Sequence, residues 1–338
     1  MVDLIRDPAL RQAHILNLVS VAISSGFDGL FVEYRGLPLD IRDEFSDFVS
    51  ELKQAFSSNG LLLGVIVPAP ENTGGEWDTG VFDWRVIGQV TDYLQVDLGL
   101  DPLAFAPGPD QRIEALFRWA TREVSRYKLL AGLNALSLRE TRGGFVPVSY
   151  ADALSKLGNV QVAGSVTAPG EVIRARLDGF DALPGVETAV QAPYILYRNP
   201  DGSAVEKVWL TTAGALRFRL DQLRPHVIGG VALSDLSSGG LAAGVPEAVL
   251  NFKLSLPIEP SVPDLSLRWR VQDNSGVRSE VITGLNEELV VTLEAVEGNF
   301  AINVEVVDGE QAVARSGAQV AVLRPTPRRL CCQLPNRR

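Results

Sequence analysis

After Asp7-Pro8, a helix-start signal, apolar Leu10, Ala13, Leu16 and Ile23 recur among polar positions until Gly26 ends the helix. "GLFVE" then reads as a strand. "RDEFSDFVSELKQAF" sets Phe45, Phe48, Val49, Leu52 and Phe56 at helical spacing, with Asp40 as N-cap and Asn59-Gly60 as the stop. "LLLGVIV", bounded by Gly60 and Pro68, is the pattern of a strand buried on both faces. A loop, "PAPENTGGEWDTG", leads to a short helix around "DWRVIGQV", a strand "DYLQVDL", a helix "QRIEALFRWATREVS" and a strand "YKLLAGLN". Alternation of apolar strands with helices predicts a parallel sheet with helical crossovers.

From about residue 138 to 209 the rhythm changes to an α+β insertion. It has a helix at "YADALSKLG", a strand at "EVIRARL" and a hairpin turning at Asn199-Pro200-Asp201-Gly202. The βα pattern then resumes with "TTAGALRFRLDQLR" and "VIGGVAL", the latter followed by Ser234 and Asp235. Past Pro257 only short alternating segments remain, "LSLRWRV", "LVVTLEAV", "AINVEVV" and "AQVAVL". They predict a small immunoglobulin-like β-sandwich over 257–324, behind the Pro-rich linker "LPIEPSVPDL". Residues 325–338, basic and without an acid, read as a disordered tail holding the adjacent Cys331 and Cys332, which form no disulfide framework.

Composition narrows the partners. The formal charge is −10, which argues against nucleic acid or an anionic membrane and leaves neutral glycans, cations and other proteins open. No apolar run reaches the roughly 20 residues that span a bilayer. "MVDLIRD" lacks the basic-then-apolar order of an export signal. The two histidines, His14 and His226, lack metal-ligand spacing, and "NTGGEWDTG" lacks the spacing and the lysine of a phosphate loop, so no metal or cofactor is expected.

Four segments in order, "GFDGLFVEYRGLP", "LLLGVIVPAP", "GVFDWRVIGQVTDYLQV" and "KVWLTTAGALRFRLDQLRPHVIGGVALSDL", resemble the family 18 glycoside hydrolases, with bacterial cell-envelope members the nearest likeness. The resemblance implies an α/β fold, a (β/α)8 TIM barrel of which strands 4–8 lie within 1–256. Only 25 residues precede "GFDGLFVEY", so strands 1–3 are unaccounted for and the chain is expected to begin inside a longer, envelope or extracellular protein. A barrel of this kind takes about 250 residues.

The family signature DGxDxDxE implies a catalytic Glu at its end, working with the substrate's own N-acetyl group as nucleophile. Here Asp28 and Gly29 match, but the second Asp falls on Phe31, the third on Glu33 and the catalytic Glu on Arg35. The family's sixth-strand Met-x-Tyr-Asp falls on Asp97–Leu100, and an eighth-strand Trp on Ser234. The resemblance therefore implies a degenerate site.

Strand alternation alone places Phe31, Glu33 and Arg35 on one face. An arginine side chain keeps its proton at neutral pH and cannot serve as a general acid. Glu33, Arg35, Gln95, Asp97 and Asp235 are candidates for a ligand site at the barrel mouth, with Trp77 as a stacking platform; Trp84 reads as core. Three readings follow: a non-hydrolytic glycan-binding or scaffolding domain, a hydrolase with relocated acids Glu33 and Asp97, or a purely structural domain. If the pocket binds a ligand, the Arg35 guanidinium would favour acidic glycans such as those bearing carboxylates.

Overall fold

The computed structural model describes residues 1–107, 112–163, 166–167, 170–236, 239–253, 263–292, 297–309 and 311–323. The expected boundary at Pro257, most of the linker, the 325–338 tail and its two cysteines lie outside those residues.

Two compact units emerge, one comprising Met1–Tyr150, Val186–Tyr194 and Val208–Ser261, the other Ala151–Gly185, Ile195–Lys207 and Val262–Arg338. Much of the insertion thus groups with the C-terminal strands, not with the βα repeats. Pairing explains this: Ile173 of Val172–Leu177 stands opposite Val291 of Leu289–Thr292.

The first unit holds a curled, five-stranded parallel half-barrel, the arrangement expected from the βα rhythm and consistent with a TIM-like barrel. Its strands are β1 (Gly29–Glu33), β2 (Leu62–Pro68), β3 (Tyr93–Asp97), β4 (Leu129–Asn134) and β5 (Gly230–Ser234), hydrogen-bonded in that order. Helices α1 (Pro8–Ser24), α2 (Arg42–Ser58), α3 (Trp84–Val90), α4 (Arg112–Glu123) and α5 (Ala213–Leu223) alternate with them. Among the described residues β1 and β5 are the open edges of the sheet.

Asp7 caps α1 by accepting from the backbone N–H of Ala9 and Leu10, as its Asp-Pro start predicts. The packed stripe of α1 differs from the expected one. Ile15, Val19 and Ala22 are buried, whereas Leu10, Leu16 and Ile23 are half or more exposed. The helix is apolar nearly all round, so periodicity could not single out a face. On α2 the pattern was unambiguous, and Phe45, Phe48, Val49, Leu52 and Phe56 are all fully buried. Asp40 does not cap α2; it lies in a preceding 3-10 turn, Leu39–Ile41, where its carboxylate accepts from Arg6 at 2.8 Å.

Register lines up the inner-face side chains in rows. Phe31, Gly64 and Tyr93 form one; Glu33, Ile66, Gln95, Leu130 and Gly230 the next; Pro68, Asp97, Gly132 and Ala232 a third. Outward residues Val32, Leu63, Val65, Leu94 and Val96 are buried. The inner face of β2 is more open than a doubly buried strand would be, with Leu62 46% exposed.

In the second unit Leu265–Asp273, Gly276–Thr283, Gly298–Asp308 and Gln311–Val322 form an antiparallel sheet. Trp269, fully buried, anchors it and donates from Nε1 to Thr283 Oγ1 at 2.9 Å. A second sheet joins Leu289–Thr292, Val172–Leu177 and Val160–Val162.

Candidate functional site

The carboxyl ends of parallel strands leave a row of loops free to converge, and a cluster of charged side chains lies there. Glu33 and Asp97 are the last residues of β1 and β3, and Arg35 follows Glu33 by two, keeping to the same face. Two strand spacings separate β1 from β3, about 10 Å, so only a long side chain reaches across β2. Arg35 does so over Pro68, whose short ring stands level with Asp97. It donates from Nε to Glu33 Oε1 at 2.5 Å and from Nη2 to Asp97 Oδ2 at 3.0 Å. Asp97 Oδ1 accepts the backbone N–H of Gly99 at 3.0 Å, so both its oxygens are engaged. The hydrogen bond to Glu33, with the charges of both acids, holds the Arg35 proton more tightly than usual.

Nη2 of Arg35 lies 2.5 Å from Glu33 Oε1 and 3.0 Å from Asp97 Oδ2, which keeps those two oxygens within 5.5 Å of each other. The guanidinium is already paired with these two carboxylates, which offset its charge towards an acidic glycan. A cavity of about 550 Å³ opens beside this triad. Leu37, Ile66, Pro70 and Phe82 supply apolar wall, and Glu71 and Asp78 add two carboxylates to those of Glu33 and Asp97. The loop that carries Asp78 is tied down where Arg42 Nη1 donates to Gly80 O at 2.6 Å and Asp78 Oδ1 accepts the Gly80 N–H at 2.8 Å.

Other candidates lie apart from the triad. Phe31 floors the row beneath it, crossing Gly64 and stacking on Tyr93 at 6.0 Å between ring centres. Gln95 is on the inner face, its amide against Gly132, but does not line the cavity. Asp235, beyond the end of β5 in a left-handed backbone conformation, does not line it either. Asp28 stands at the opposite, N-terminal end of β1, where its carbonyl accepts from Leu62. Trp77 lines a neighbouring groove of about 810 Å³ with Asn72 and Arg112, and Glu71 borders both spaces. Beneath it Trp77 stacks on Trp119 at 5.7 Å, and Trp119 meets Trp84, which is core as expected at 2% exposure.

Sequence reasoning missed Glu71, Asp78 and Trp119. The loop signal was there, since Glu71 and Asp78 flank the Gly-rich run that drew attention to Trp77. Behind β1, Tyr34 meets His14 Nε2 at 2.8 Å, and burial pushes its hydroxyl pKa up to about 12, a packing role. Among the described residues no group of His, Cys, Asp or Glu has metal-binding geometry.

The half-barrel with its site at the strand ends is the fold of chitinase-like proteins of the glycoside hydrolase family 18 type. The chitinase of Chromobacterium violaceum ATCC 12472 superposes with a TM-score of 0.54 at 23% identity, over 73% of this chain and 72% of that one. The spore cortex-lytic enzyme SleL of Bacillus megaterium QM B1551 gives 0.55 at 16% identity, over 77% of this chain and 56% of that one. In sequence, YdhD of Bacillus subtilis (strain 168), named as a sporulation-specific glycosylase, is 20% identical over 243 residues, 70% of this chain. The chain spans about half the length of that relative, 53%. No family profile matches the sequence.

Proposed function

We propose that the chain is a non-hydrolytic glycan-binding domain of a cell-envelope or extracellular protein, a pseudoenzyme on a chitinase-like scaffold. One observation carries this reading: Arg35, where the family resemblance calls for the general acid, is locked between Glu33 and Asp97. A guanidinium cannot donate a proton to a leaving oxygen near neutral pH. The names of the relatives, chitinase and spore cortex-lytic enzyme, support N-acetylglucosamine-containing glycans as the ligand class. The atoms left open by the triad suit neutral hydroxyls. Arg35 Nη1 can donate and Glu33 Oε2 can accept, neither having a partner among the described residues. The Trp77 groove supplies an aromatic face for a further sugar ring. We read the barrel domain as 1–256 with an α+β insertion at about 138–209, much of which groups with the C-terminal strands, and those strands as an immunoglobulin-like accessory module.

The spacing of at most 5.5 Å between the Glu33 and Asp97 oxygens favours a second reading. Retaining hydrolases hold their carboxyl groups about 5–5.5 Å apart. Saturation-transfer NMR with N-acetylglucosamine oligomers and peptidoglycan fragments separates the two. Binding without new anomeric signals is the expected result. Turnover that Glu33→Ala abolishes overturns it in favour of a hydrolase, and absence of binding favours a structural role.

A further inference from the structure

We infer that the cavity beside Arg35 selects amino sugars carrying a free, protonated amine over their N-acetylated counterparts; this rests on the glycan-binding reading above. Glu33, Glu71, Asp78 and Asp97 line the cavity against a single guanidinium, a formal balance of −3. Arg35 neutralises only the carboxylates it touches, Glu33 and Asp97. Among the described residues the Glu71 carboxylate has no hydrogen-bond or ion-pair partner, and the Asp78 carboxylate accepts only the backbone N–H of Gly80.

These acids do not converge as metal ligands do, so a compact cation gains no coordination shell here. The space is about 550 Å³ and partly apolar, a size and lining that fit sugar rings. A sugar ammonium placed there meets several carboxylates at once, and charge-assisted hydrogen bonds are about twice as strong as neutral ones. An N-acetyl group in the same position would leave those acids without a cation. An acidic sugar would meet net repulsion.

The test is calorimetric titration of the full chain with glucosamine dimer, N-acetylglucosamine dimer, glucuronic acid and, as a non-sugar cation, spermidine. Glucosamine dimer is expected to bind at least about tenfold more tightly than the N-acetylated dimer at low salt, with the gap shrinking at 0.5 M NaCl as screening rises. Glu71→Gln and Asp78→Asn are expected to remove most of that gap. Asp47→Asn, on the outer helix α2, controls for net charge and keeps the gap. Equal or tighter binding of the N-acetylated dimer overturns the inference and leaves the glycan-binding reading standing. Spermidine binding as tightly as glucosamine dimer also overturns it, since charge alone would then account for affinity. If no sugar binds, both fall.

Discussion

Arg35 shows how one substitution reshapes a site without emptying it. Its side chain is 73% exposed, so the ion pairs it makes contribute at most about 1 kcal/mol to stability. Their consequence is chemical, because they occupy one oxygen of each carboxylate, Glu33 Oε1 and Asp97 Oδ2. A less exposed acid on the same sheet has the opposite balance. Asp92 Oδ2 accepts from Lys53 Nζ at 2.5 Å and from the backbone N–H of Leu63 at 2.7 Å, pinning α2 and β2 to the start of β3. Burial works against its charge, but these hydrogen bonds and the nearby lysines outweigh it and hold the carboxyl below the usual range. A depressed carboxylate stabilises the fold above its unfolded-state pKa, about 4, and that stability is lost as pH falls through the folded value. Asp92→Asn is therefore expected to lower stability by about 1–2 kcal/mol at pH 7. The difference from wild type should close as acidification carries the carboxyl below its folded pKa. Urea unfolding at several pH values reads this out, and a gap independent of pH would contradict it.

At the scale of elements, packing between rows sets what each position tolerates. Phe31 lies so close over Gly64 that a Cβ there would collide with its ring. Gly64→Ala is expected to cost about 1–3 kcal/mol by overpacking. In a Phe31→Ala background the cost should largely vanish, a coupling that a double-mutant cycle by chemical denaturation measures. Purely additive penalties would show that Phe31 does not pack there. This pairing marks how far the sequence could be read. The βα alternation, the core face of α2 and the single face shared by Phe31, Glu33 and Arg35 were legible because spacing along one element encodes them. That Gly64 makes room for Phe31, or that Arg35 reaches Asp97 across an intervening strand, depends on register between segments some 30 to 60 residues apart, which no local pattern carries. The strand Gly276–Thr283 was missed for a related reason, since it alternates only between half-buried and exposed positions, with Ser279 and Thr283 on the covered face and Ile282 on the open one. The likeness to a known signature, not any periodicity, drew attention to Arg35 as a lost acid.

For the whole molecule the sharpest physical feature is apolar surface left uncovered on the half-barrel unit. Leu10, Leu16, Val21, Ile23 and Phe27, on α1 and just past it, are each 50–57% exposed, and Phe31 and Leu62 are about 45% exposed at the edge strand β1 and its neighbour. Such a helix, apolar on both faces, is what a buried position in a closed ring of helices requires. Bare apolar side chains in this number favour association, and unpaired strand edges template it. The formal charge of −10 opposes contact between copies, but its repulsion weakens as salt screens it. The chain is therefore expected to self-associate with rising concentration, more strongly at high ionic strength. Leu16→Lys combined with Ile23→Lys should suppress that association in sedimentation velocity runs. Both side chains are already more than half exposed, so the thermal midpoint should move by no more than about 2 °C. A large drop in the midpoint would mean that the outward face of α1 is packed in the isolated chain. Unchanged association with an unchanged midpoint would move the driving surface to the strand edges, where Phe31→Lys is the next substitution to make.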